Sequence, residues 1–314
     1  MNFEKMLTFH SRNDIFTTES ETFMKIKDRL SGKHFSLSFE VFPPVRDGNI
    51  ESLYQAIEEL SALQPHFISV TYGAGGTTRD KTIEIASKVN NDFGVTALAH
   101  LTCVQSTKED IGSILSTLYE NRIENILALR GDPPEGEKAF VKTAGGFDHA
   151  NDLVAFISER ERFCIGVAGY PEKHIEAPSM EEDLKNLKRK VDAGADFIIS
   201  QLFFDNDNFY RFRDMAMALK IRVPIIPGIF PLLSYKQILR ISSLCGAKIP
   251  VRLGEKIEYL KDKPEEIEKY GIEYATRQAD LLIENQVPGL HFYSMNKSGP
   301  VKKIISDLAL TYEK

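Results

Sequence analysis

Glu40 stands inside the run Ser36-Leu-Ser-Phe-Glu-Val-Phe42, and His100 inside Ala97-Leu-Ala-His-Leu-Thr102. An ionisable group within an apolar run is costly to bury unless it is paired or used. In an extended chain, Phe35, Leu37, Phe39 and Val41 share one face and Ser36, Ser38 and Glu40 the other. The polar face then carries a carboxyl group beside Phe42 and Pro43. Partial desolvation there is expected to raise its pKa, which suits a general acid near neutral pH. The competing expectation is a structural Glu40 paired with a buried Arg or Lys. Ala128, Arg130 and Asp132 share a face of another run, and Gly131 between them leaves the backbone open to a ligand. Arg130 can clamp a phosphate or pair internally with Asp132 or Glu40.

Other polar residues stand at the ends of similar runs: Thr71 and Tyr72, Tyr170 with Glu172 and His174 beyond it, Gln201, and Tyr293 to Asn296. Gly73-Ala74-Gly75-Gly76-Thr77-Thr78 lacks the G-x-G-x-x-G spacing and a Walker lysine, so it is expected to be a tight turn. Lys188-Arg189-Lys190 is either a solvated helix face or a cationic arm that reaches a diphosphate. No metal site is expected, because His100 and His174 have no H-x-x-x-H partner and no nearby cysteine. The runs end in no lysine for a Schiff base, and Gly-x-Ser-x-Gly is absent.

Eight strand-like runs are present, at 35–42, 67–73, 96–103, 125–132, 164–171, 197–204, 223–230 and 290–296. Helical spacing lies between them, as in Ile50, Leu53, Ile57 and Leu60, or Ile111, Ile114, Leu115 and Leu118. Asp47 or Asn49 would cap the first such helix, and Thr107 with Asp110 another. Strand-helix alternation calls for a parallel sheet. Eight units in this length predict an α/β fold, a single (β/α)8 TIM barrel whose chemistry sits at the strand C-termini. An open doubly wound sheet is the alternative. The stretch 231–288 should hold extra helices near 235–244, 251–260 and 264–284. Residues 1–32 are expected as an N-terminal arm or helix, and 33–314 as the barrel.

The 314 residues are 42% hydrophobic and 27% charged, which excludes a mainly disordered or fibrous chain. With a net charge of −6 and a pI near 5.7, nucleic acid is not an expected partner. Cys103, Cys164 and Cys245 are far apart and suit a reducing compartment. The charged N-terminus has no secretory pattern. The stretch 223–233 is too short for a membrane span and contains three prolines. A cytoplasmic protein with no membrane partner is expected.

Taken together, the motifs resemble the 5,10-methylenetetrahydrofolate reductase family. They are Ser-Phe-Glu-Val-Phe-Pro-Pro, Ser-Val-Thr-Tyr-Gly-Ala, Ala-His-Leu-Thr-Cys, Leu-Arg-Gly-Asp-Pro-Pro and Gly-Tyr-Pro-Glu-Lys-His, with Asp183 and Leu-Lys-Arg-Lys-Val-Asp-Ala-Gly following. Ser-Gln-Leu-Phe-Phe-Asp, Ile-Pro-Gly-Ile-Phe-Pro and His-Phe-Tyr-Ser-Met-Asn complete the series. The resemblance implies a bacterial-type FAD-dependent barrel that uses NADH or NADPH to reduce 5,10-methylenetetrahydrofolate to 5-methyltetrahydrofolate, supplying methyl groups for methionine synthesis. It implies Glu40 as general acid and Asp132 as the carboxylate that steadies positive charge on the folate. It also implies FAD contacts at Thr71, Tyr72, Ala74, His100, Arg130, Gly131, Asp132, Ala150, Tyr170, His174, Ala177, Asp183, Asn186, Arg189 and Lys190. Folate contacts are implied at Glu40, Asp132, Gln201, Gln237, Tyr293 and Lys297. Lys297 and Leu202 stand where the family commonly has Arg and Phe. A homo-oligomer is implied, and no S-adenosylmethionine-binding regulatory domain is expected. The alternatives are a flavin barrel of the proline dehydrogenase type, or a barrel that binds folate or flavin without turnover.

Overall fold

The computed structural model describes residues 24–32, 35–44, 48–72, 79–133, 136–137 and 140–308. Asp47 and the segment 73–78, with Ala74 in it, lie outside the described residues.

One parallel sheet holds β1 (Ser36–Val41), β2 (Phe67–Val70), β3 (Ala97–Thr102), β4 (Asn125–Leu129), β5 (Cys164–Gly169), β6 (Phe197–Ser200), β7 (Ile225–Ile226), β8 (Gly228–Ile229) and β9 (Gly289–Tyr293). Their order is β7-β6-β5-β4-β3-β2-β1-β9-β8. The two outer members of that order are joined in the chain through Pro227 alone, which brings the sheet nearly to a closed barrel. Eight sequence patterns thus become nine strands at one point. Pro227 has no N–H for the ladder, so the seventh run divides, β7 pairing with β6 and β8 with β9. The Pro227 carbonyl still accepts from the His291 N–H at 3.0 Å. Several strands stop short of their expected ends; Pro43, Pro133 and Pro231 lie just past the mouth ends of their runs and Pro171 ends its own, where the ladder cannot continue.

The crossovers are α2 (Ile50–Ser61), α3 (Arg79–Asn91), α4 (Lys108–Glu120), α5 (Ala150–Ser158), α6 (Met180–Asp192) and α7 (Asn206–Ala218). Between β8 and β9 lie α8 (Tyr235–Cys245), α9 (Val251–Tyr259) and α10 (Pro264–Glu284), and α11 (Ser298–Asp307) follows β9. The expected caps form: the Asn49 side chain accepts from the Glu51 N–H at 2.8 Å, and Thr107 with Asp110 makes a capping box on α4. Gly271 lets α10 touch the chain after β8, because a Cβ there would sit 1.7 Å from the Leu232 carbonyl oxygen.

Two apolar layers hold the barrel. Outside, Leu37, Phe39 and Val41 of β1 pack with Leu53, Ile57 and Leu60 of α2, as the alternation requires. Inside, Phe67, Leu98, Leu127, Phe197 and Ile226 fill the lower barrel. A short helix, α1 (Ile26–Ser31), inserts Ile26 and Leu30 into that inner cluster. Its first N–H donates to Asn125 Oδ1 at 2.8 Å, at the start of β4. The lower end is therefore closed with hydrocarbon, and the polar inward residues collect at the strand C-termini.

Candidate active site

Glu40 is the last inward-facing residue of β1, and its side chain is 19% exposed. Its backbone is fixed from the neighbouring strand β9: the Ser294 hydroxyl donates to the Glu40 carbonyl at 2.6 Å. Asn296 clamps the next peptide but one, accepting from the Phe42 N–H at 3.0 Å and donating to the Phe42 carbonyl at 2.8 Å. The polar residues after β9 therefore orient the end of β1. Among the described residues no lysine or arginine pairs with the carboxylate. Its Oε2 faces His100 Nε2 at 3.5 Å and His291 Nε2 at 3.8 Å. Burial lowers the His100 pKa from 6.5 to about 4, outweighing the pull of Glu40, so His100 is neutral at physiological pH and makes no ion pair.

The Arg130-Gly131-Asp132 corner follows β4. Gly131 has φ +89, and a Cβ there would approach Thr102 Cβ to 3.0 Å and Val104 Cβ to 3.2 Å. Only glycine fits this turn over the end of β3. Asp132 is exposed at the rim. Arg130 is half-buried over the Phe140 ring, 5.0 Å from its centroid. Its guanidinium forks onto both carboxylate oxygens of Glu176, at 2.5 and 2.8 Å, and this bond holds Glu176 below the usual carboxylate range. Glu176 is the partner that the sequence reading, which considered Asp132 and Glu40, did not identify.

A second cation lies beneath. Lys190 of α6 donates to the Ala168 carbonyl at 2.6 Å and sits 5.9 Å from the Tyr170 ring centroid. Burial lowers its pKa from 10.5 to about 8, against the opposing charge of Asp183. Asp183 accepts from the His174 N–H at 3.0 Å, and burial raises its carboxyl. Burial likewise raises the phenols of Tyr170 and Tyr293 and lowers the His174 imidazole. Tyr293 donates to the Ser200 carbonyl at 2.7 Å. Gln201 accepts from the Leu202 N–H at 2.8 Å through its amide oxygen, which leaves its amide N–H groups for a ligand.

A cavity of about 350 Å³ joins these groups. It is lined by Glu40, Thr71, His100, Arg130, Gly131, Asp132, Tyr170, His174, Gln201 and Tyr293, all expected from the sequence, and by the apolar Leu127, Leu129, Leu202, Phe230, Ile241 and Met295. Asp183 and Lys190 stand directly behind that wall. Gln237 lies one turn before Ile241 on α8, on the same helix face. Tyr72 packs on the strand-helix core. Ala150 begins α5 and Ala177 is buried beyond His174. Asn186 and Arg189 lie on the exposed side of α6, where Arg189 meets Asn186 and, at 3.5 Å, Glu182. Lys297 is exposed at the rim as the N-cap of α11. The sequence reading missed His291, wholly buried beneath Glu40. The alternation that placed Glu40 inward also places His291 and Tyr293 inward, and that was the available signal. The chemistry of this donor set fits a flavin dinucleotide. Arg130 and Lys190 match a diphosphate, and Leu127, Leu129 and the bare Gly131 leave room for a flat ring.

A parallel barrel with an acid, cations and apolar walls gathered at its strand C-termini defines a ligand-binding (β/α)8 protein. The chain belongs to the methylenetetrahydrofolate reductase family, which matches residues 25–309. It is 41% identical over 300 residues to methylenetetrahydrofolate reductase (NADH) 1 of Arabidopsis thaliana, covering 92% of this chain and 51% of the relative. It is 38% identical over 263 residues to 5,10-methylenetetrahydrofolate reductase of Escherichia coli K12, covering 84% of this chain and 87% of that protein. The chain thus spans about half the length of the plant relative. Among solved structures, a Clostridium thermocellum protein described as binding two copies of 5-methyl-5,6,7,8-tetrahydrofolic acid shares the fold. Its TM-score is 0.58 at 16% identity, over 89% of this chain and 96% of that one. Among the described residues no helix is long and apolar enough to cross a membrane.

Proposed function

We propose that this mouth reduces 5,10-methylenetetrahydrofolate to 5-methyltetrahydrofolate, with NADH or NADPH as donor and FAD as the bound carrier, in two half-reactions that share one site. The observation that carries the reading is Glu40, an acid held at the floor of a cavity that also presents Gln201, Tyr293 and Asp132. The name of the Arabidopsis relative favours NADH.

When bound, the flavin supplies two-electron transfer between nicotinamide and folate. The chain supplies the rest. Arg130 and Lys190 would hold the flavin's diphosphate, and Gly131 would leave room for its ring. Glu40 gives its proton to the bridging nitrogen of the methylene folate, so that the five-membered ring opens to an iminium cation. Asp132 at the rim stabilises that cation. Gln201 donates to the pterin, and the Tyr293 ring and Leu202 wall it on the β6–β9 side. The neighbouring His100 is neutral, so Glu40 meets no imidazolium there. The protein is further proposed to work as a cytoplasmic homo-oligomer, which sedimentation of the purified protein tests.

The decisive experiment is Glu40→Gln in anaerobic stopped-flow, following the flavin absorbance. Reduction by NADH or NADPH is expected to stay within about twofold of wild type, and reoxidation by methylene folate to fall by about a hundredfold or more, the scale of general acid catalysis. Equal loss of both half-reactions would remove Glu40 from the acid role. A colourless preparation that cannot be reconstituted with FAD would remove the flavin.

A further inference from the structure

The carboxyl of Glu40 is placed by its own main chain. No hydrogen bond among the described residues reaches its oxygens, and the two histidine nitrogens that face Oε2 stand off at 3.5 and 3.8 Å. β1 ends one residue later, at Val41, and Pro43 has no N–H with which to extend the ladder. A carboxyl on such a strand end moves with every shift of the backbone beneath it.

The turn after β9 holds that backbone. The Glu40 carbonyl accepts twice from Ser294, from its N–H at 3.3 Å and from its hydroxyl at 2.6 Å. The same hydroxyl oxygen accepts from the Asn296 N–H at 3.2 Å. The Asn296 amide takes both ends of residue 42, accepting from the Phe42 N–H at 3.0 Å and donating to the Phe42 carbonyl at 2.8 Å. The Lys297 N–H closes the turn on the Ser294 carbonyl at 2.9 Å. Each of these bonds has a backbone N–H or carbonyl at one end, so every direction is fixed. The turn is strained to make them: Met295 has φ +53 and Asn296 φ +56. Asparagine tolerates that region, methionine rarely enters it, and L residues visit it singly and not in series. Strain of this kind persists only where the surroundings impose it, and it gathers at functional sites. Here it sits in the wall of the mouth, which Met295 lines.

We propose that Asn296 is a positioning residue for the proton transfer: the strained Met295–Asn296 turn clamps Phe42 and thereby holds the Glu40 carboxyl in register with the substrate nitrogen. This rests on the acid role given to Glu40 above. Asn296 has spent its amide on Phe42, so it acts through the main chain of β1. Without the clamp Glu40 is the same acid, but it is in reach of the nitrogen for less of the time. A misplacement of about 1 Å can cost about a hundredfold in rate. The cost falls on the step that uses the acid. It does not fall on flavin reduction by nicotinamide, nor on the folate contacts assigned to Gln201 and Tyr293.

Asn296→Gly keeps a residue that accepts the left-handed turn and removes the amide. Ser294→Ala removes the hydroxyl that ties Glu40 to Asn296. In the unloaded protein, Asn296→Gly is expected to speed hydrogen exchange at the Phe42 amide by about tenfold or more. In anaerobic stopped-flow of the FAD-loaded variants, the limiting rate of flavin reoxidation by methylene folate should fall by about tenfold or more. The folate concentration at half-maximal rate, and flavin reduction by NADH, should stay within about twofold. In a Glu40→Gln background, Asn296→Gly should cost less than about twofold further, because its effect runs through the missing acid. Losses that multiply would overturn the proposal, as would unchanged Phe42 exchange or an unchanged reoxidation rate. An equal fall in both half-reactions would also overturn it, since a merely structural turn gives that result. If Asn296→Gly fails to fold, Ser294→Ala carries the same kinetic expectations, alone and with Glu40→Gln. Failure of the acid role itself looks different: Glu40→Gln alone would leave reoxidation intact, and the clamp proposal would fall with it.

Discussion

Lys190→Met is expected to make the protein more stable at neutral pH. Lys190 is half-buried, and desolvation lowers its pKa from 10.5 to about 8. At about 1.4 kcal/mol per pH unit, carrying the charge into the fold costs about 3 kcal/mol. The bond to the Ala168 carbonyl returns about 1–2 kcal/mol of that, so the methionine variant should gain about 1–2 kcal/mol. The pH dependence separates this from an ordinary packing gain. The folded value lies below the unfolded one, so the unfolded chain binds more protons between about pH 8 and 10.5. Wild-type stability therefore rises through that window relative to Lys190→Met, and below about pH 8 the difference is constant. Urea unfolding of both proteins at neutral pH and near pH 10, without added cofactor, measures the gap. It should close and then reverse. A gap that does not change with pH, or a less stable variant at neutral pH, would refute the reasoning. The same variant should bind FAD more weakly, since the cation that costs stability is the one proposed to meet the diphosphate.

Four shorter expectations follow. Gly131→Ala forces a side chain into positive φ and against Thr102, and should cost about 2–3 kcal/mol in urea unfolding. Glu176→Gln removes the carboxylate that occupies Arg130 and should tighten FAD binding several-fold in a flavin-fluorescence titration; weaker binding would mean that Glu176 only orients Arg130. Ile26→Ala empties part of the lower barrel and should cost about 2–4 kcal/mol, measured as a lowered urea midpoint with an unchanged slope. Asp110→Ala breaks the α4 capping box and should cost about 1 kcal/mol.

What could be read from the sequence was local. Period-two alternation placed Leu37, Phe39 and Val41 against α2 and Glu40 inward, because a strand has no other way to divide its side chains between two environments. The three helices between β8 and β9 were legible from spacing for the same reason. The division of the seventh run at Pro227 was less so: one missing N–H matters only once the neighbouring strands are known. Pairings between distant residues were harder still. Arg130 meets Glu176, 46 positions away, and nothing in either segment selects that partner over Asp132 or Glu40. His291 was overlooked because a histidine in Leu-His-Phe-Tyr is most simply a core residue; its contacts are with Ser38 and Glu40, which lie about 250 positions earlier.

The two ends of the barrel show why one sequence needs both an apolar plug and a polar mouth. Below, Ile26 and Leu30 pack into the inner apolar cluster. Above, burial shifts His100, His174 and Lys190 toward their neutral forms, and likewise Asp183, Tyr170 and Tyr293. Such a mouth holds its fixed charge where it can be neutralised, at Arg130 with Glu176. A diphosphate entering it would meet Arg130 by displacing a carboxylate and would draw a proton onto Lys190. Dinucleotide binding should then take up protons near pH 8. Calorimetric titrations in buffers of different ionisation enthalpy measure that uptake, and proton release on binding would refute this account of the mouth.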